Sequence, residues 1–232
     1  MTGWQGNDRI SARIGTLTRP GKDQVYFFIF AFLTSLVSSA LAGLAIDIGG
    51  GQDVTSQQFA CLHDQGAQIA ITQLYNSSGS LVEKGVTNIL NAYTGAFFDG
   101  FNVYITPCLA NCADKSTSGV AQVEAVINRL NQEFQDVFIW IQIDKSSGWS
   151  SNQQTNQQSI MAILNAVNST NGAVGIIANY NTWTTYFGSS FTSASTIAQY
   201  LLWVNWNGKQ DLTTGWVPFG GWTVTQSRLE AG

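Results

Sequence analysis

Short runs that are apolar at nearly every position alternate along the chain with longer stretches carrying an apolar residue every three or four positions. The first pattern is that of a strand buried on both faces, the second that of an amphipathic helix. The runs predict strands over 44–47, 68–75, 101–106, 137–144, 173–179 and 200–206, with a seventh within 216–224. A helix opens at the capping box Thr55-Ser56-Gln57-Gln58 and closes at Gly66. The next spans about 82–98, with Val86, Ile89, Leu90, Tyr93 and Phe97 on one face. A third, about 119–134, carries Val120, Val123, Ile127, Leu130 and Phe134 as its stripe. A fourth covers 152–168 with Ile160, Ile163, Leu164 and Val167 inward, and a short helix lies near 182–187.

Repeated strand–helix alternation implies a parallel sheet, open or closed. A barrel is favoured because acids and aromatics recur at the C-terminal ends of the strands: Asp47, Tyr75, Asp144, Tyr180 and Trp206. A closed parallel barrel gathers those ends on one face, where such folds place their chemistry. The central stretch is Phe138-Ile139-Trp140-Ile141-Gln142-Ile143-Asp144, followed by the loop that holds Trp149. Side chains alternate along a strand, so Gln142 and Asp144 share a face. Asp144 has two open roles, a reactive carboxylate or a cap for the turn that follows. Gly49-Gly50-Gly51 lacks the Lys-Ser/Thr of a phosphate loop and the spacing of a dinucleotide motif.

One apolar run differs from the others. Residues 25–42 follow Arg9, Arg13, Arg19 and Lys22 and end in Ala40-Leu41-Ala42, the small-x-small pattern of a signal-peptidase site. At 18 residues the run is also marginally long enough to span a membrane. Because the first predicted strand begins at Leu44, an uncleaved helix would leave almost no linker. The expected division is therefore a signal peptide with an N-terminal extension over 1–42 and one domain over 43–232. Without 1–42 the chain carries six basic and twelve acidic residues, a pattern that excludes a phosphate-backbone binder and hence nucleic acid as a partner. Charged residues make up only 10% of the chain and aromatics 12%, as expected for a globular exported protein with an uncharged polar surface. Cys108 and Cys112, four apart in a loop, are candidates for a local disulfide, and Cys61 reads as a buried free thiol. The single histidine, His63, reads as a helix-surface residue, and no metal or other cofactor is expected. Asn76-Ser77-Ser78 and Asn168-Ser169-Thr170 are acceptor sequons for a eukaryotic secretory route.

An ordered set of segments resembles the lysozymes of glycoside hydrolase family 25, in the branch found in nematodes and amoeboid protists. The segments are Ala45–Ile48, Phe59–Leu62, Val103–Cys108, Ile139–Asp144, Val174–Trp183, Leu202-Trp203 and Pro218–Trp222, so the resemblance covers about 44–225. It implies an irregular (β/α) TIM-like barrel that cleaves the β-1,4 bond after N-acetylmuramic acid in peptidoglycan. The expected partner is peptidoglycan or a related aminosugar glycan. The expected setting is secreted or lysosomal/phagosomal, in digestion or antibacterial defence, as a monomer with no stable membrane association once the signal is removed. Asp47 matches the Asp that ends the family's first strand. The family's fourth strand carries Asp-x-Glu, with the Glu as general acid, whereas this chain has Gln142-Ile143-Asp144. The Arg common on the second strand is Gln73. By this resemblance Asp47 and Asp144 are the catalytic candidates; Gln142 is either a substrate contact or a polar filler of the barrel interior, and Tyr75, Trp149, Tyr180 and Trp206 are substrate-binding candidates that either stack on sugar faces or pack in the core. An Asp where the family has Glu sets the carboxyl back by roughly 1.5 Å, one C–C bond. Two functions follow: a muramidase, or a barrel that binds glycans without cleaving them.

Overall fold

The structure, a computed structural model, describes residues 28–33, 42–95, 101–131, 134, 137–170, 172–204, 213–223 and 227–231. Its strands are β1 (Phe28–Leu33), β2 (Ala42–Ile48), β3 (Ala67–Asn76), β4 (Ser80–Leu81), β5 (Phe101–Ile105), β6 (Phe138–Gln142), β7 (Val174–Ala178), β8 (Tyr200–Val204) and β9 (Ser227–Ala231). Among the described residues, five α-helices connect them: α1 (Ser56–Asp64), α2 (Glu83–Thr94), α3 (Gly119–Leu130), α4 (Gln153–Asn168) and α5 (Tyr180–Phe187). β2, β3, β5, β6, β7, β8 and β9 pair in parallel, each with the next. β1 runs antiparallel to both β2 and β9 and closes the ring between them. The fold is thus a mixed α/β barrel, with the C-terminal ends of seven parallel strands gathered at one mouth.

Strand alternation divides the apolar residues into an inner and an outer set. Ile71, Tyr104, Trp140, Ile177 and Leu202, one from each of β3, β5, β6, β7 and β8, form the buried plug of the barrel. The plug is in register, with Tyr104 opposite Trp140 and Ile177 opposite Leu202. The intervening residues, among them Val103, Ile139, Ile141, Ile176 and Leu201, point outward and pack with helix residues such as Val123, Ile160, Ile163 and Leu164. Trp140 is fully buried, and its indole N–H donates to Asn102 Oδ1 at 3.0 Å, which fixes the ring inside the barrel. Gly175, opposite Trp140 on β7, makes room for that ring: a Cβ there would lie 2.4 Å from Cζ3.

The helices follow the predicted pattern except on α2, whose predicted Phe97 lies outside the described residues, and on α3, where Val123 and Leu130 are buried as expected but Gln122 and Val126 join them and Val120 and Ile127 are half-buried. α1 has the capping box at Thr55, and Gly66 follows it at φ +97°. α4 buries Ile160, Ile163, Leu164 and Val167 as predicted. α2 differs: it buries Gly85, Val86, Asn88, Ile89 and Ala92, while Leu90 and Tyr93 are exposed. The reason is polar. Asn88 turns inward, accepting from Val54 N–H and donating to Gln52 O, and Gly85 lets the helix approach the β3 backbone at Gln73. Cys61 also departs from expectation. It lies exposed on the outer face of α1, because its neighbours Phe59 and Leu62 take the buried face. His63 is exposed on that helix. No strand forms over 216–223, where Gly220 and Gly221 adopt φ +62° and +87°, and the last strand is β9 instead. Residues 28–33, part of the run read as a signal peptide, form β1. Among the described residues, no helix is long and apolar enough to cross a membrane.

Candidate active site

The polar residues at the mouth are placed by register. Asp47 lies opposite Ile71 of the barrel plug, and its neighbours Ile46 and Ile48 pack outward in a separate cluster with Phe59 and Leu62. Asp47 therefore faces inward, and its Oδ1 is buried. One step above the plug on β3 is Gln73, two residues past Ile71. Thr106, just past β5, is two residues beyond the plug residue Tyr104, and Gln142, the last residue of β6, is two beyond Trp140. These residues make one hydrogen-bonded chain. Gly50 N–H donates to Gln73 Oε1 at 3.1 Å, Gln73 Nε2 donates to Thr106 Oγ1 at 3.0 Å, and Thr106 Oγ1 donates to Gln142 Oε1 at 2.6 Å. Thr106 is buried and its backbone N–H donates to Tyr75 O, so the chain rests on a fixed frame.

Asp144 continues beyond β6 in extended backbone, at φ −125° and ψ 151°, and keeps the inward parity of Gln142. Its Oδ1 accepts from Ser146 N–H at 2.8 Å and from Ser146 Oγ at 2.6 Å, capping the 3-10 turn Lys145–Ser147. The capping role is therefore filled. Because one oxygen does that work, Oδ2 remains for other chemistry.

The aromatic candidates separate. Tyr75 is not at the mouth. A β-bulge between Gln73 and Tyr75 breaks the alternation, so Leu74 and Tyr75 both join the outer cluster, and Tyr75 is only 2% exposed. Its hydroxyl donates to Asp114 Oδ2 at 2.6 Å. Burial, then the hydrogen bond and negative charge of Asp114, push the Tyr75 hydroxyl well above the usual tyrosine range, while the same bond and Ser116 N–H lower the exposed Asp114. Trp149 is 8% exposed and packs against Tyr186 and Phe187. Both rings correct the expectation of sugar stacking, since neither offers an open face. Tyr180, the first residue of α5, is 37% exposed and meets Phe219 edge-on. Phe219 also contacts Trp216, which in turn meets Trp203. The half-buried Trp216 was not singled out in the sequence, where nothing marks it off from the other tryptophans. Trp206 lies outside the described residues.

A disulfide joins Cys108 and Cys112, with their Cα atoms 5.7 Å apart. Buried Gln122 of α3 grips that loop, accepting from Cys108 N–H and donating to Cys108 O and Ser116 O. Among the described residues no group of three His, Cys, Asp or Glu side chains is placed to hold a metal ion. Thr106 and Gln73 are the site residues that sequence reasoning left out of the binding set. The available signal was their parity with the plug residues, two positions earlier on each strand.

The chain is similar to known proteins along most of its length. The family described as "Lysozyme-like protein 1" matches residues 38–228. "Lysozyme-like protein 5" of Caenorhabditis elegans is 30% identical over 201 residues, covering 85% of this chain and 87% of that protein. "Probable GH family 25 lysozyme 2" of Dictyostelium discoideum is 25% identical, covering 86% of this chain and 88% of its own length. Among solved structures, a family 25 lysozyme from Aspergillus fumigatus superposes with a TM-score of 0.57 at 14% identity, over 76% of this chain and 81% of that one, and so shares the fold. With an inward Asp on β2, a strand-end acid past β6 and a match along nearly the whole described barrel, the chain belongs to the lysozyme-like proteins of glycoside hydrolase family 25.

Proposed function

We propose that the chain is a muramidase that hydrolyses β-1,4 bonds of bacterial peptidoglycan at the barrel mouth. The observation that carries this is the pair of inward carboxylates, Asp47 on β2 and Asp144 just past β6, at the same end of one parallel barrel. Glycoside hydrolysis needs an acid for the leaving oxygen and a second group facing the anomeric carbon. Asp144 supplies the acid: Ser146 holds Oδ1, so the proton travels from Oδ2 to the glycosidic oxygen. Asp47 supplies negative charge to the cationic transition state, or steadies an acetamido oxygen that attacks in its place. Because Asp144 is one methylene shorter than Glu, turnover is low, since a misplacement near 1 Å can cost on the order of 100-fold. The protein acts as a monomer in a secreted or lysosomal/phagosomal setting, and removal of 1–42 as a signal peptide would take β1 with it and leave β2 and β9 as the two edges of an open barrel.

One observation favours a second function, glycan binding without cleavage. The position two before Asp144 is the neutral Gln142, and it is tied into a hydrogen-bonded chain. The deciding experiment incubates the purified protein with peptidoglycan from pH 4 to 7 and reads new reducing ends by mass spectrometry, beside Asp144→Asn and Asp47→Asn. Product from the wild type but from neither variant supports hydrolysis. Equal background from all three removes the enzyme and leaves the binder, and failure to sediment with peptidoglycan removes that too. The intact mass of the exported protein tests processing after Ala42.

A further inference from the structure

The chain from Gly50 to Gln142 has a direction, and that direction sets what the mouth can recognise. A backbone N–H can only donate, so Gly50 N–H at 3.1 Å fixes Oε1 of Gln73 toward it. The NH2 of Gln73 must then face Thr106, where Nε2 lies 3.0 Å from Oγ1. The threonine hydroxyl accepts that bond and spends its one proton on Gln142 Oε1 at 2.6 Å. Reversing the Gln142 amide would leave the proton of a buried hydroxyl with no acceptor among the described residues, an arrangement that is costly away from water. The group Gln142 has left is its NH2, which has no partner among the described residues.

We propose that Gln73 and Thr106 are positioning residues that hold Gln142 as a hydrogen-bond donor toward the mouth, so that the site selects a sugar bearing an acceptor there, such as an acetamido carbonyl oxygen, over one bearing an amine. A carboxylate at this position would do the opposite and accept from an N–H. The device therefore bears on whether the acetamido oxygen is held or left free to attack. It rests on the assignment of the mouth as a glycan site.

The test compares binding of tri-N-acetylchitotriose with binding of its fully de-N-acetylated trimer by calorimetry at mildly acidic pH, using the full-length protein and variants of checked fold. The wild type binds the acetylated trimer more tightly by on the order of tenfold, the size of one hydrogen bond made or missed at a half-buried site. Thr106→Val frees the amide to turn and brings the ratio close to one. Thr106→Ser, which keeps the hydroxyl, preserves it, and Gln142→Glu reverses it. A merely structural role for Thr106 would weaken both trimers alike and leave the ratio unmoved, and that result would overturn the proposal while leaving the glycan site standing. If the wild type binds neither trimer nor peptidoglycan, the glycan site and the proposal both fall.

Discussion

The barrel interior makes a quantitative prediction at Gly175. A Cβ built there would lie 2.4 Å from Cζ3 and 2.5 Å from Cε3 of Trp140, and 3.0 Å from Phe138. Trp140 cannot swing aside cheaply, because it is fully buried and its indole N–H is bonded to Asn102. Forcing a methyl into such packing costs about 1–3 kcal/mol. Intrinsic preference runs the other way, since Gly inside a strand is worse than Ala by roughly 0.5–1 kcal/mol. The net expectation for Gly175→Ala is a loss of about 1–2 kcal/mol, or roughly 2–8 °C in melting temperature for a chain of this length. The cause can be isolated by repeating the substitution in Trp140→Leu, which is itself destabilised by about 2–4 kcal/mol through its lost packing. With the ring gone, the added methyl has space, and the two changes together should be less harmful than their sum by about 1 kcal/mol or more. Urea melts followed by circular dichroism measure all four proteins without relying on Trp140 fluorescence. If Gly175→Ala costs the same in both backgrounds, or stabilises the wild type, the steric account of the barrel plug is wrong.

Three further outcomes follow from the site and its supports. Asp144→Glu restores the missing methylene and should raise turnover on peptidoglycan by on the order of tenfold to 100-fold, while loosening the Ser146 cap by about 1 kcal/mol; a rate that falls with the stability would refute the assignment of Asp144 as a short acid. The Tyr75 hydroxyl holds its proton more tightly in the folded protein than in the unfolded chain, so its stabilising contribution is complete below the ordinary value of 10.0 and is lost as the pH rises above it. Asp114, lowered first by the Tyr75 bond, contributes above its ordinary value of 3.8 and loses that contribution as the pH falls through the lowered one. Tyr75→Phe should therefore flatten both limbs of a urea-midpoint-against-pH curve, and an unchanged curve would show that the pair is not linked to folding. Replacing Cys108 and Cys112 by Ala should cost about 2 kcal/mol through loop-closure entropy, a small value because the loop is short. A reductant should lower the melting temperature of the wild type and leave that of the double variant alone.

The alternation of strands and helices was legible because the strands are buried on both faces and their apolar runs have no gaps. The inward parity of Gln142 and Asp144 was legible for the same reason: the period of a strand is two, and Trp140 two residues earlier is in the plug. Where that period breaks, the sequence gives no warning. The bulge at Gln73 and Tyr75 turns Tyr75 outward, although an unbroken strand would have kept both on one face. The stripe on α2 was misjudged because hydrophobicity alone ranks Leu90 and Tyr93 above Asn88 and Gly85, yet the inward pair is held by two hydrogen bonds and a close backbone approach. The link from Gly50 through Gln73 and Thr106 to Gln142 joins residues from four strands or their loops. No local pattern encodes such a contact, so it emerges only when the barrel closes.

Closure also sets an order of events. β1 pairs with β9, from the far end of the sequence, as well as with β2. That pairing must wait until residues 227–231 have been made, so closure comes late in the life of the chain. Asp47 lies opposite Phe28 of β1. Loss of Phe28–Leu33 would therefore do two things at once: part β2 from β9 and take away the strand that flanks Asp47.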